Sequence, residues 1–208
     1  MDADDRRAGS VTAGPGAARP SRYVLTGAPG VGKTSIAGAL EARGYVVIGE
    51  AATDVISRRQ ARGEDEPWTD PGFLDAIAGV QRRRQEAADA ASPGVQIYDR
   101  SPICTLALAR FLGHPISPSL AAEVERVAGE DVYDRRVFLV HPIGFVTPTA
   151  VRRITPEDAL AFGRVHEEVY RAHGYELVGV PPGGVEDRAA AVEGHIRSWS
   201  AAAGRGAT

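Results

Sequence analysis

At 208 residues, with 43% hydrophobic and 25% charged, the chain has ordinary globular composition and the length of one domain burying about two thirds or more of its unfolded surface. A net charge of −3 gives no electrostatic footprint for nucleic acid. The longest charge-free stretch, Val137 to Val151, is too short to cross a bilayer and is broken by His141, Pro142, Gly144 and Pro148; the single cysteine, Cys104, excludes an internal disulfide and suits the cytoplasm.

Met1 to Pro20 mixes Asp4, Asp5, Arg6 and Arg7 with Gly, Ala and Pro and has no apolar run, so it reads as a disordered leader rather than a signal peptide. Arg22 to Thr26 predicts a first strand, followed by Gly27-Ala28-Pro29-Gly30-Val31-Gly32-Lys33-Thr34-Ser35 and an apolar run, Ile36 to Leu40, that begins a helix. Gly44 stops that helix, and Tyr45 to Ile48 predicts a second, buried strand with Glu50 just beyond it. Ala51 to Arg62 predicts a helix, Gly63 to Thr69 a charged loop, and Asp70-Pro71 the start of a helix to about Ala91 with Phe73, Leu74, Ile77 and Val80 as its apolar stripe. Ser92-Pro93-Gly94 turns the chain into a third strand, Val95 to Tyr98, which ends in Asp99-Arg100. Ser101 and Pro102 read as cap and first residue of a helix to Leu112, and about Pro118 to Ala128 as a further helix. Arg136 to Val140 is a fourth strand, Pro142 to Ile154 an irregular loop, and Thr155 opens a helix to about His173. Tyr175 to Val180 is the fifth strand and Val185 to Trp199 the last helix, leaving 201–208 as a disordered tail. Strands that alternate with helices make a parallel sheet covered on both faces, whose ligands gather at the carboxyl ends of the strands.

The strand ends are where this chain keeps its chemistry. Gly27 to Thr34 spells G-x-x-x-x-G-K-[ST] between a strand and a helix, the P-loop arrangement in which backbone amides and the helix N-terminus surround phosphates. In it Lys33 reaches the β and γ phosphates and the Thr34 hydroxyl holds Mg²⁺. Lys33 is the only lysine in the chain, every other basic side chain being arginine, so the one compact ammonium stands where a phosphate needs it. Residues 21–200 are accordingly expected to form a single P-loop nucleotide-binding domain. Asp99 closes its strand in the manner of a Walker B acid and is the natural carboxylate for Mg²⁺. Glu50 is a second carboxylate, placed to take the proton of a hydroxyl that attacks the γ phosphate. Arg100 pairs either with phosphate or acceptor, or in a structural salt bridge; Arg152 and Arg153 are candidates to bring positive charge over the γ phosphate. Arg82-Arg83-Arg84 occupies successive helical positions and reads as a solvated face, Gln81 beside it as a residue that can face an acceptor, and Cys104 as a small buried hydrophobe.

With these residues assembled, the chain resembles the nicotinamide riboside kinase-like (NadR-like) AAA domain family of P-loop ATPases, and more remotely the deoxyribonucleoside kinases. The resemblance spans about Tyr23 to Ile196 and rests on the P-loop, on Gly49-Glu50-Ala51-Ala52, on Tyr98-Asp99-Arg100-Ser101-Pro102, and on Gly174 to Leu177 with Pro181 to Arg188. It implies an α/β P-loop NTPase three-layer sandwich with a five-stranded parallel sheet in the kinase-like order 2-3-1-4-5. It also implies ATP and Mg²⁺ as cofactors, Glu50 as base, and a small-molecule acceptor; charge and the lack of an apolar span, not the resemblance, point to no nucleic acid and no membrane partner. Ile103-Cys104 stands where family members often carry Pro-Asp. Two functions follow: a kinase that moves the ATP γ phosphate to a hydroxyl of a nucleoside or metabolite, or an NTP-binding switch or ATPase that acts through a protein partner. The chain has no asparagine and hence no N-K-x-D for reading guanine, which argues against a Ras-like GTPase.

Overall fold

The structure, a computed structural model, describes residues 20–91, 94–142 and 155–205. Five parallel strands, β1 (Ser21–Thr26), β2 (Val46–Ile48), β3 (Val95–Asp99), β4 (Arg136–Val140) and β5 (Glu176–Val180), form one sheet in the order β2-β3-β1-β4-β5. The expected order is therefore observed. β1 is central, paired with β3 from Ser21 opposite Val95 to Leu25 opposite Asp99, and with β4 at Leu25 and Thr26. β2 sits at the sheet edge and its residues are half-buried, so the buried strand expected from Tyr45 to Ile48 is shorter and more exposed than its apolar composition suggests.

Side-chain alternation along the strands feeds two cores. On one face Tyr23, Leu25, Ile97, Phe138 and Val140 pack against α1 (Lys33–Ala42) and α7 (Val185–Arg205) through Ile36, Leu40, Val192 and Ile196. On the other face Val24, Tyr98 and Val137 pack against α2 (Ala51–Gln60), α3 (Gly72–Ala91), α4 (Pro102–Leu112), α5 (Pro118–Gly129) and α6 (Pro156–Ala172). The two faces are unequal: one carries a pair of helices, and the other a thick layer with room for a cavity between its helices.

Three local expectations change. A short 3₁₀ turn, Pro67–Thr69, interrupts the loop before α3. The last helix continues to Arg205 instead of stopping near Trp199, so much of the expected disordered tail is helical. Ser101 has the extended backbone of an N-cap, but its hydroxyl makes no capping bond and lies 2.7 Å from the Tyr170 hydroxyl on α6. Long-range pairing has overridden local capping at that position.

Candidate active site

The loop from Gly27 to Gly32 is shaped by backbone that side chains would forbid. Gly27 has φ 127°, and a Cβ built on it would stand 2.6 Å from the Val140 carbonyl oxygen, so β4 and the loop approach too closely for any other residue. Gly32, with φ 92°, is the residue before α1 and supplies no side-chain cap, and no acidic residue occupies the first turn. The first amides of α1 are thus left for an anion. Val31 turns its side chain into the core at 1% exposure while Thr34 and Ser35 face outward. The Lys33 ammonium is buried inside the loop it belongs to, donating to the carbonyls of Ala28 at 2.7 Å and Gly27 at 3.1 Å.

The end of β3 delivers the acid. Asp99 is 3% exposed, and its Oδ2 accepts from the Thr34 hydroxyl at 2.7 Å, so the loop and the strand end are joined across 65 residues of sequence. Its other oxygen, Oδ1, is buried with no hydrogen-bond partner among the described residues. A buried carboxylate oxygen without a donor is a costly arrangement that a cation would resolve. The hydroxyl and carboxylate that Mg²⁺ needs are therefore side by side, and the residues present fit the ion.

Arg100, the next residue, has φ 81°, a left-handed backbone costing of order 1–3 kcal/mol outside glycine. That backbone turns its side chain across the sheet edge. Nε donates to Glu50 Oε1 at 2.6 Å, and both side chains are about one-tenth exposed. Nη1 lies 3.4 Å from the Gly27 carbonyl oxygen and 3.3 Å from His166 Nε2. Burial works against the guanidinium charge, but Glu50, then Cys104 and Asp99, outweigh it and hold Arg100 above the usual arginine range. Of the two alternatives for Arg100, a salt bridge is present, and its partner is Glu50. The second Glu50 oxygen accepts from Thr53 at 2.9 Å, so Glu50 is oriented from both sides at the head of α2.

These groups open onto a cavity of about 420 Å³ between α2, α3, α4 and α6. Pro29 of the phosphate loop, Glu50 and Arg100 form one end; Trp68, Phe73, Ile77, Phe111 and Phe162 form apolar walls. Phe111 and Phe162 stack at 4.7 Å. Gln81 and Thr105 add a polar patch, the Thr105 hydroxyl donating to Gln81 Oε1 at 2.9 Å. Gln81 lines this cavity. Cys104, buried as expected, also lines it.

An AAA-domain family model matches residues 22–188. The chain belongs to the AAA-domain family. No curated protein sequence matches this AAA domain. Among solved structures it is similar to deoxyadenosine kinase from M. mycoides with bound dATP, at 15% identity and a TM-score of 0.58, over 85% of this chain and 99% of that one. It is also similar to a NadR protein in complex with NR, at 16% identity and a TM-score of 0.60, over 79% of this chain and 46% of that one. A NadR protein in complex with NAD and AMP-PNP gives 14% identity and a TM-score of 0.59, so this AAA domain spans about half the length of NadR, 48% in that comparison. At such identities the likeness establishes the fold, that of P-loop kinases, and the family resemblance read from the sequence stands.

Within the AAA domain the structure gathers Lys33, Thr34, Glu50, Asp99 and Arg100 at one sheet edge; Arg152 and Arg153 lie outside the described residues. In the arginine run of α3, Arg82 and Arg83 are exposed as expected of a solvated face, and Arg84 is half-buried. Arg84 pairs with Asp54 and donates to the Gly49 carbonyl at 2.8 Å, holding β2 to α3, and Arg82 bonds Glu86 at 2.9 Å.

Two residues of the site were not evident from composition or motif. His166 meets Arg100 from α6, on the stripe Ala159, Phe162, His166, Tyr170, whose spacing is helical and whose members are all buried. Arg188, on α7, is 3% exposed and donates to the Val31 carbonyl at 2.8 Å and the His141 carbonyl at 2.9 Å. Among the described residues it has no carboxylate partner, its Nε is unbonded, and burial lowers its pKa. It braces the phosphate loop against the end of β4. Arg188→Met is expected to lower the unfolding midpoint by about 3–10 °C, because two buried carbonyls lose a charged donor while the desolvated cation is also removed, a net cost of about 1–3 kcal/mol. Calorimetry checks this, and an unchanged midpoint would remove the bracing role.

Proposed function

We propose that the protein is an ATP-dependent small-molecule kinase that moves the γ phosphate to a hydroxyl of a ring-bearing acceptor such as a nucleoside. The observation that carries this reading is the cavity of about 420 Å³ that runs from aromatic walls directly to Glu50, Arg100 and Pro29 of the phosphate loop. Its size is that of a small-molecule pocket, where apolar walls and a few polar groups set orientation. An NTP-driven switch uses the same phosphate loop but leaves this cavity without a role.

In this reading Gly27, Ala28, Pro29, Gly30, Val31, Gly32, Lys33, Thr34 and Ser35 hold the nucleotide phosphates, with Lys33 exchanging its bonds to the Gly27 and Ala28 carbonyls for phosphate oxygens. Thr34 and Asp99 would hold Mg²⁺, which when bound would offset the charge of the phosphates. Glu50 takes the proton from the acceptor hydroxyl, and Arg100 keeps the Glu50 carboxylate turned to the cavity mouth. Arg152 and Arg153 supply further positive charge to the transferring group.

The test is incubation with γ-labelled ATP and a panel of nucleosides and other hydroxyl-bearing ring compounds, following label into an organic phosphate. Nucleosides head the panel because a deoxyadenosine kinase and a NadR protein in complex with NR share the fold. Label that emerges only as inorganic phosphate across the panel would replace the kinase with the ATPase or switch.

A further inference from the structure

We infer that His166 is a positioning residue: it accepts a hydrogen bond from Arg100 and so fixes the direction of the guanidinium that faces the acceptor cavity. The inference rests on the kinase reading for its consequence in catalysis, but its geometry stands independently.

The ring is held on three sides. His166 Nδ1 lies 2.8 Å from the Phe162 carbonyl oxygen one turn earlier on α6, and only a protonated Nδ1 satisfies that acceptor. Nε2 is therefore the bare nitrogen, and it lies 3.3 Å from Arg100 Nη1. The Phe162 ring lies 4.3 Å from the imidazole, and the residue is fully buried. Burial, then the nearby Arg100, hold the histidine neutral, its pKa pushed down to about 3.

A neutral acceptor is what this arginine needs. Glu50 already sits on Nε and Asp99 is adjacent in sequence, so a further carboxylate would surround Arg100 with negative charge and cancel what it offers a phosphate. The imidazole fixes Nη1 without cancelling anything. With Nε on Glu50 and Nη1 shared between Gly27 and His166, Nη2 has no partner among the described residues, and Arg100 lines the cavity. The free donor is thereby aimed where an acceptor or its new phosphate would lie. One turn further along α6, the Tyr170 hydroxyl reaches Ser101 Oγ at 2.7 Å and Cys104 Sγ at 3.1 Å. The helix thus grips the segment after β3 at two successive turns, His166 at the reactive end and Tyr170 behind it.

The test compares wild type with His166→Gln, which retains a neutral acceptor, and His166→Leu, which fills space without one. In nucleotide-free wild type, long-range ¹H–¹⁵N spectra at pH 7 should show His166 protonated at Nδ1 and bare at Nε2; a proton on Nε2 overturns the inference, whatever the variants do. The Arg100 Nη signals should be separate in wild type and His166→Gln and averaged in His166→Leu; separate signals in the leucine variant mean that Arg100 is held without His166. Where labelled acceptor is formed, His166→Leu should lower kcat by about 10²-fold with nucleotide KM changed by less than about threefold, and His166→Gln should recover most of the rate. Equal losses in kcat and nucleotide affinity, or no recovery with glutamine, would make His166 a packing residue. Failure of label transfer in wild type would remove the kinase reading and leave both spectroscopic outcomes standing.

Discussion

Lys33→Ala is expected to lower phosphoryl transfer by at least about 10²–10³-fold, the cost of removing one donor aimed at developing charge in a water-poor site. Lys33 is 4% exposed and its ammonium is held by the Gly27 and Ala28 carbonyls, so in the nucleotide-free protein it lies within the loop proposed to take the phosphates. Its loss removes a buried charge along with its hydrogen bonds, and these partly offset. The unfolding midpoint should therefore shift by no more than about 4 °C, the equivalent of about 1 kcal/mol in a domain of this size. Steady-state label transfer and calorimetry on the same sample separate the two effects. Turnover within about tenfold of wild type would mean that Lys33 does not meet the transferring phosphate.

Glu50→Gln should reduce turnover by about 10²–10⁴-fold, the range for loss of a positioned general base, while binding of a fluorescent ATP analogue weakens by less than about threefold. Glutamine retains oxygen for Arg100 Nε and removes the charge that matches it. Taking away one partner of a buried pair costs about 3–5 kcal/mol when nothing replaces it, so the amide should cost less than that and the variant should fold. Normal turnover in Glu50→Gln would pass the role of base to Asp99. If turnover and nucleotide affinity fell equally, Glu50 would act on binding and the base would have to be sought elsewhere.

The alternation of short apolar strands with helices was legible because each strand carries its own run, and sheet order followed once the P-loop and the acid-Arg-Ser stretch placed the chain among kinase-like folds. Glycine, lysine and threonine at fixed spacing announce a phosphate loop because no other residues tolerate that backbone or supply that chemistry. Asp99 and Glu50 were readable from position alone, at strand ends that a parallel sheet must bring together. His166 and Arg188 were not, because their partners lie 66 and 157 residues away in sequence. A histidine on an apolar helical stripe has the same signature whether it fills space or orients an arginine. Two other positions misled in a related way: β2 has core composition at a half-exposed edge, and Ser101 has cap composition but its hydroxyl bonds Tyr170.

The solitary lysine gives the molecule a built-in reporter. Apart from the chain's amino terminus, Lys33 carries the only primary amine, and it is enclosed by the Gly27 and Ala28 carbonyls. An isotope-labelled methyl group placed on that nitrogen, or acylating reagents used in competition with nucleotide, would give a side-chain signal from the phosphate loop, with the amino terminus as the one other amine to tell apart. Occupancy of the loop thus has its own optical or magnetic readout, independent of whether an acceptor has been found.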